Sequence, residues 1–310
     1  MLYIVYKDYS VSNFILEKLA KRTDIKLVQV SDLQLSLFMR VIYWFERTFS
    51  VNICPLARFS SENIFVFHKI KEDDKVLLWD FMQCVDVKYI IKTVKSSRIY
   101  LWIWNTIGES HKKEITYYKR KGITLCTFDK MDAQQYDIIL LNQVFRDLPD
   151  KNFMGKYDFF FIGKDKGRYQ FLEWIAGALV QKKYCVKFLL LADKDVDYPT
   201  QYLEVLHHSI SYMEILELIS QSRVIVDITK SNQVGITLRV LEAAFMGKKL
   251  LTNNKCVKEL DFYNEKNMLI IDDTMCSLAQ LDRFMQHEVS LYNQDVLSKY
   301  SVDKWIEYFL

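Results

Sequence analysis

The sequence predicts an α/β protein built on two doubly wound parallel sheets. Short β-branched and aromatic runs alternate with longer amphipathic stretches from end to end, most of these runs lack polar alternation, and the pattern restarts near residue 150. Uninterrupted apolar strands joined by helices belong to parallel sheets covered on both faces, where neither side of a strand meets water.

In the first half the predicted strands are Tyr3–Tyr6, Lys26–Gln29, Ile64–Phe67, Val76–Trp79, Ile99–Trp104, Ile123–Phe128 and Ile138–Leu141. Helix-period segments lie between most of them, such as Asn13–Lys21 and Ser110–Lys121. The stretch RDLPDKNFMGK then brings one of only three prolines, a glycine and mixed charge, which reads as a linker. Beyond it come strands at Tyr157–Ile162, Val186–Leu191, Val224–Ile228, Lys249–Thr252 and Met268–Ile271, with helices at Tyr169–Lys182, Tyr212–Ser220 and Thr237–Met246. Residues 1–150 and 151–310 are therefore expected as two tandem Rossmann-like domains. The chain length of 310 agrees with about 150 residues per domain. Such a pair would place a ligand cleft between them, at the carboxyl ends of the strands.

Composition narrows the function classes. Half of the residues are apolar, enough for two cores, and a quarter are charged, as in a soluble globular chain. A net charge of +3 is small for this length and argues against a dedicated nucleic-acid binder. Six scattered cysteines and five dispersed histidines suggest neither a zinc site nor a disulfide framework. The opening MLYIVYKDYS lacks a basic n-region and reads as a first strand rather than a signal peptide. No apolar stretch reaches the roughly 18 residues of a membrane span. A cytoplasmic location is the expectation.

Two segments carry chemistry. Glycine is scarce, and four of the eight glycines are Gly163, Gly167, Gly235 and Gly247. Gly163 ends the run YDFFFI and opens GKDKGR, with Lys164, Lys166 and Arg168 just before a predicted helix. A glycine at a strand end lets backbone approach a ligand, and the following helix N-terminus offers unpaired N–H groups and partial positive charge. A diphosphate cradle is one reading; a solvated basic turn is the other. The second segment is SNQVGITLRVLEAAFMGKK, in which Thr237 opens a helix whose Arg239 and Glu242 share a face. Glu242 could accept two bonds from a vicinal diol such as a ribose, or could simply pair with Arg239.

The order ISYMEILELISQSRVIVDI, then GITLRVLEAAFMGKKLLTNN, resembles the C-terminal domain of bacterial glycosyltransferases of the GT-B fold. It is most similar to those that build surface polysaccharides such as O-antigen or capsule. The resemblance covers about residues 155–275, and the first half is matched by architecture only. It implies a nucleoside diphosphate sugar as donor, with Glu242 on the ribose. Arg239, Gly235, Thr237 and the loop Gly163–Arg168 would meet the diphosphate. Those cations would take the place of a divalent metal, so no metal and no other cofactor is expected. Many retaining members carry a second glutamate eight residues before the ribose-binding one, where this chain has Val234 beside Gln233. The anomeric outcome therefore stays open.

An inverting enzyme would also need a base for the acceptor hydroxyl, expected as a carboxylate at the carboxyl end of a strand in the first half. Asp80 closes VLLWD, Asp8 follows YIVYK, and Asn105 after IYLWIW could orient the acceptor; each could equally be a turn or capping residue. DKDVD, with Asp193, Asp195 and Asp197, resembles an Asp-x-Asp metal motif, but a second βαβ domain does not suit the fold that uses it. The helix expected over Leu33–Phe49 carries five aromatics with Arg40 and Arg47, suiting either peripheral membrane contact near a lipid-linked acceptor or a buried position. The expected activity is sugar transfer to a growing surface glycan or lipid-linked acceptor. The rivals are a non-catalytic nucleotide-sugar-binding or regulatory subunit and a nucleotide-sugar epimerase.

Overall fold

The computed structural model describes residues 1–31, 33–49, 51–80, 84–148, 155–194, 196–229, 235–272 and 278–310. Two compact units result. The first comprises Met1–Asn142 with Val302–Leu310, the second Gln143–Ser301. The chain thus leaves the first unit ahead of residue 150, and its last residues belong to the first unit instead of the second.

In the first unit six parallel strands form one sheet: β1 (Leu2–Lys7), β2 (Ile25–Val30), β3 (Lys75–Trp79), β4 (Arg98–Ile103), β5 (Thr124–Thr127) and β6 (Ile139–Leu140), in the order β2-β1-β3-β4-β5-β6. Central β1 and β3 are buried along almost their whole length, as continuous apolar sequence requires. Edge strand β2 instead buries Ile25, Val28 and Val30 and exposes Lys26 and Gln29. Tyr3 sits opposite Lys26 on one side and Val76 on the other. Val5, Leu78, Leu101, Phe67, Ile90 and Tyr118 meet in the core. The terminal residues close this unit: Trp305 packs edge-on to Trp79 and Trp102, and its indole Nε1 donates to the Asn142 carbonyl at 3.0 Å.

One predicted strand is a helix. Ile64–Phe67 lies within the helix Ser61–Lys69, whose N-cap Ser60 accepts from the Asn63 amide at 3.1 Å. Glu62 in the first turn and His68 and Lys69 in the last complement the helix dipole. Phe67 is buried while Phe65 is exposed, and cap and dipole outweigh the β-preference of the FVF run.

The second unit holds β7 (Tyr157–Lys164), β8 (Val186–Leu191), β9 (Glu204–Leu206), β10 (Ser222–Asp227), β11 (Lys249–Thr252) and β12 (Met268–Ile270), again all parallel. Their order is β12-β11-β10-β7-β8-β9. The chain builds outward from β7 to β9, then returns beside β7 and builds the other way. Such a reversal leaves a crevice at the carboxyl ends of β7 and β10, because the connections leave in opposite directions there. In the first sheet the same reversal falls between β1 and β3. The three-residue β9, with Glu204 exposed and Val205 and Leu206 half-buried, has no long apolar run to announce it.

Candidate functional site

The second unit's crevice is shaped by the turn after β7. Lys166 (φ 50°) and Gly167 (φ 80°) are both left-handed, folding the chain sharply into the helix Tyr169–Gln181. Asp165 Oδ1 accepts from the amides of Arg168 at 2.9 Å and Tyr169 at 2.7 Å, capping that helix. Arg168 folds back instead of reaching outward. Its Nε and Nη2 donate to the Lys164 carbonyl at 3.1 and 2.9 Å, and its Nη1 donates to the Ile228 carbonyl. One guanidinium therefore bridges the ends of β7 and β10, across the reversal. Gly163 makes this possible, since a Cβ there would lie 2.5 Å from Arg168 Nη2 and 3.2 Å from the Phe161 ring. Three of the five guanidinium N–H donors are used by described residues. Burial lowers the Arg168 pKa, and Arg239 adds to this while Asp227 opposes it. Lys164 and Lys166 are exposed beside it.

The opposite wall comes from β10 and the helix Leu238–Phe245. Asp227 ends β10 fully buried, its Oδ1 accepting from Thr237 Oγ1 at 2.9 Å and its Oδ2 from Thr252 Oγ1 at 3.3 Å. Burial raises its pKa, against Thr237, Arg168, Thr252 and Arg239, which favour the charged form. Thr237 is the N-cap residue of the helix, yet its hydroxyl goes to Asp227 and caps no amide. Of the first-turn amides, that of Val240 donates to the Thr237 carbonyl at 3.2 Å, and those of Leu238 and Arg239 meet no side-chain cap among the described residues. The Gly235 carbonyl accepts from Asn254 Nδ2 at 3.4 Å, which ties the approach to this helix to the end of β11. One turn in, Arg239 Nη1 donates to Glu242 Oε2, while Glu242 Oε1 accepts from the Tyr212 hydroxyl at 2.7 Å. Glu242 has no exposed surface, so a ribose hydroxyl would reach it only by replacing one of these partners.

Arg168 bonds to the Ile228 carbonyl and Thr237 to Asp227, so the basic loop after β7 and the start of the helix Leu238–Phe245 both reach the carboxyl end of β10. Val234 and Gln233 lie outside the described residues.

In the first unit Asp80 follows β3 at the reversal. Its backbone is left-handed, φ 56°, an unusual conformation for a residue other than glycine. The Trp104 amide donates to Oδ1 and Asn105 Nδ2 to Oδ2, each at 3.1 Å. Burial nevertheless pushes the carboxyl up to about 6, with the two hydrogen bonds and Lys7 pulling it down. Two of the predicted residues, Asp80 and Asn105, thus form one unit. Asp8, at the end of neighbouring β1, is an exposed joint: Asn13 Nδ2 and Gln29 Nε2 both donate to its Oδ1 at 2.7 Å, and the Ser31 hydroxyl to its Oδ2 at 3.4 Å.

No protein-family model matches the sequence, and no curated protein does. Solved structures do match. An alpha-glucosyltransferase in complex with UDP and a 13-mer DNA containing a HMU base superposes with a TM-score of 0.60 at 10% identity, over 100% of this chain and 97% of that one. The alpha,alpha-trehalose-phosphate synthase (UDP-forming) from Burkholderia vietnamiensis gives 0.57 at 12%, over 100% and 98%. AviGT4, a glycosyltransferase involved in avilamycin A biosynthesis, gives 0.54 at 10%, over 98% and 93%. At these identities the likeness is one of fold.

The chain has the GT-B fold. Within that GT-B frame, sequence reasoning missed Asp227, Tyr212 and Asp165. Asp227 could have been found by the signal that picked out Asp80, an ionisable residue closing an apolar strand. Of DKDVD, Asp195 lies outside the described residues; the Asp193 amide donates to the Tyr198 hydroxyl at 3.2 Å. Among the described residues no group of three or more His, Cys, Asp or Glu is placed to hold a metal ion.

Proposed function

We propose that the chain is a glycosyltransferase that takes a sugar from a nucleoside diphosphate sugar bound in the β7/β10 crevice. The observation that supports this best is the Arg168 guanidinium, held across the crevice mouth by carbonyls from both strands. It would face the diphosphate together with Arg239, Lys164, Lys166 and the amides of Leu238 and Arg239 after Thr237. The solved structures similar in fold include one in complex with UDP and one UDP-forming synthase, which agrees with this choice of ligand.

In the reaction the bond between the sugar's anomeric carbon and the diphosphate oxygen breaks, and the nucleoside diphosphate leaves with added negative charge. Cations already in place stabilise that charge more in the transition state than in the ground state. They supply the charge a divalent metal would bring, so the proposed reaction is metal-independent. The acceptor hydroxyl oxygen bonds to the anomeric carbon and its proton passes to a carboxylate, the role we assign to Asp80 with Asn105 as its orienting partner. A group titrating near 6 is ionised at neutral pH and still basic enough to take a proton. A ribose hydroxyl would replace that of Tyr212 on Glu242 Oε1, leaving the Arg239 pair in place. The acceptor is assigned as a growing surface glycan or its lipid-linked precursor, following the sequence resemblance.

Calorimetric titration with nucleosides, nucleoside diphosphates and nucleotide sugars tests the site. Diphosphates should bind at least tenfold more tightly than the matching nucleosides. Equal affinity would remove the cradle. Donor turnover without acceptor then separates a transferase from a subunit that only binds, which would release no sugar.

A further inference from the structure

The helix Leu37–Phe49 has two faces with different fates. Its inner face is pinned by Glu46, which is fully buried. Glu46 Oε1 accepts from the amides of Ile53 at 2.5 Å and Cys54 at 2.7 Å, and Oε2 accepts from Arg58 Nε at 3.0 Å. Arg58 is buried in turn, reaching the Val85 carbonyl at 3.1 Å and Asn52 Oδ1 at 2.7 Å. Breaking a buried, fully bonded ion pair is costly, so this network fixes the rotation of the helix about its axis. Its outer face is left carrying Leu37, Phe38, Val41, Trp44, Phe45 and Phe49. Leu37 is 79% exposed, Phe38 72% and Trp44 62%. Soluble proteins rarely leave so many large apolar side chains together in water.

The charges decide what covers this face. Among the described residues from 33 to 56, the exposed charged side chains are Arg40 and Arg47, both cations, because the lone carboxylate is the buried Glu46. Helical spacing puts both arginines on one flank of the apolar stripe. A second copy of this chain would bring the same two cations to the same stripe, with no exposed carboxylate among the described residues from 33 to 56 to meet them. An anionic lipid surface meets both halves of the pattern: Trp, Phe and Leu enter the acyl boundary while arginines stay with the headgroups. No helix among the described residues is long and apolar enough to cross a membrane, so the contact is one of lying on the surface.

We infer that Leu37–Phe49 docks the protein onto anionic membranes, independently of the nucleotide crevice. Sedimentation of the full chain with vesicles of phosphatidylcholine, with and without phosphatidylglycerol, tests it. The native protein should pellet with the anionic vesicles. Arg40→Ser with Arg47→Ser should weaken that binding about thirtyfold, at about 1 kcal/mol per cation near the surface, and leave binding to pure phosphatidylcholine unchanged. Phe38→Ser with Trp44→Ser should weaken binding to both kinds of vesicle by at least tenfold. All four sites are exposed, so thermal unfolding should be unaltered and confirm that the variants fold. A native protein that ignores anionic vesicles overturns the inference. So does a native dimer in light scattering that Trp44→Ser converts to monomer, which would assign the face to a second copy.

Discussion

The two crevices at the sheet reversals share one topology and carry opposite chemistry. Each has a carboxylate ending the strand at the reversal, Asp80 after β3 and Asp227 at the end of β10. Asp227 is enclosed by two hydroxyls and feels two guanidinium groups, and the crevice it serves presents cations. Asp80 has an amide and a carboxamide as donors and feels only Lys7 as a cation, so burial carries its pKa to about 6. The same doubly wound frame thus carries cations at the reversal of one unit and a carboxyl with a raised pKa at that of the other. Fold alone would not have told them apart; the side chains at the strand ends do.

Breaking the base should have the largest effect. Asp80→Asn is expected to slow sugar transfer by about 10²–10⁴-fold while nucleoside diphosphate affinity stays the same, measured by initial rates and calorimetry. If Asp80 is the base proposed above, kcat/KM of the native protein should fall about tenfold per pH unit below pH 6, where Asp80 takes up its proton. Stability moves the other way. A carboxyl whose folded pKa lies above its ordinary 3.8 costs stability when ionised, and that cost fades as pH falls from 6 towards 4. Asp80→Asn should therefore unfold at higher denaturant than the native protein at pH 7, by about 3 kcal/mol, and match it near pH 4.

The opposite crevice should fail in binding instead. Arg168→Ala should weaken nucleoside diphosphate affinity about a hundredfold, as loss of charge-assisted bonds would do, and leave nucleoside affinity unchanged. Arg168→Lys should recover little, since an ammonium cannot bridge two strand ends as a planar fork does. Equal losses for nucleoside and diphosphate would dissolve the contrast between the two units.

A smaller effect is expected at Glu242. Glu242→Ala should cost tenfold or more in nucleotide affinity, through the ribose and through Arg239 together. Tyr212→Phe separates these, because it frees Oε1 without touching the Arg239 pair. Unchanged or tighter nucleotide binding would support the ribose on Glu242, and weaker binding would leave Glu242 only the task of holding Arg239.

How much of this was legible in the sequence depends on the distance over which each signal acts. The loop Gly163–Arg168 could be read because its logic is local: a rare glycine, a strand before it, a helix after it and three cations within it. Asp80 could be read because it closes an apolar run. That Asn105 serves Asp80 could not, since it requires β3 and β4 to be neighbours. Tyr212 lies thirty residues from Glu242 and meets it only through the packing of two helices on one sheet. The helix at Ser61–Lys69 was hidden because FVF speaks for a strand, while the deciding Ser60 cap is a single hydroxyl. The return of Val302–Leu310 to the first unit rests on Trp305 fitting between Trp79 and Trp102, which no local pattern encodes.

The smallest expected effect is at Gly163, and it sharpens the comparison most finely. Gly163→Ala places a methyl 2.5 Å from Arg168 Nη2, but that atom is the far end of a flexible side chain and can yield. The cost should appear as a shifted guanidinium: nucleoside diphosphate affinity falls a few-fold, while stability changes by less than about 1 kcal/mol. Gly167→Ala makes the complementary change. No atom would crowd its methyl, yet its φ of 80° strains any residue with a Cβ, so stability should fall by about 1 kcal/mol or more. A Gly163→Ala variant with native nucleotide affinity would show that the place of the guanidinium across the β7/β10 crevice does not matter to the ligand. The cationic wall of the second unit would then be a feature of its packing alone.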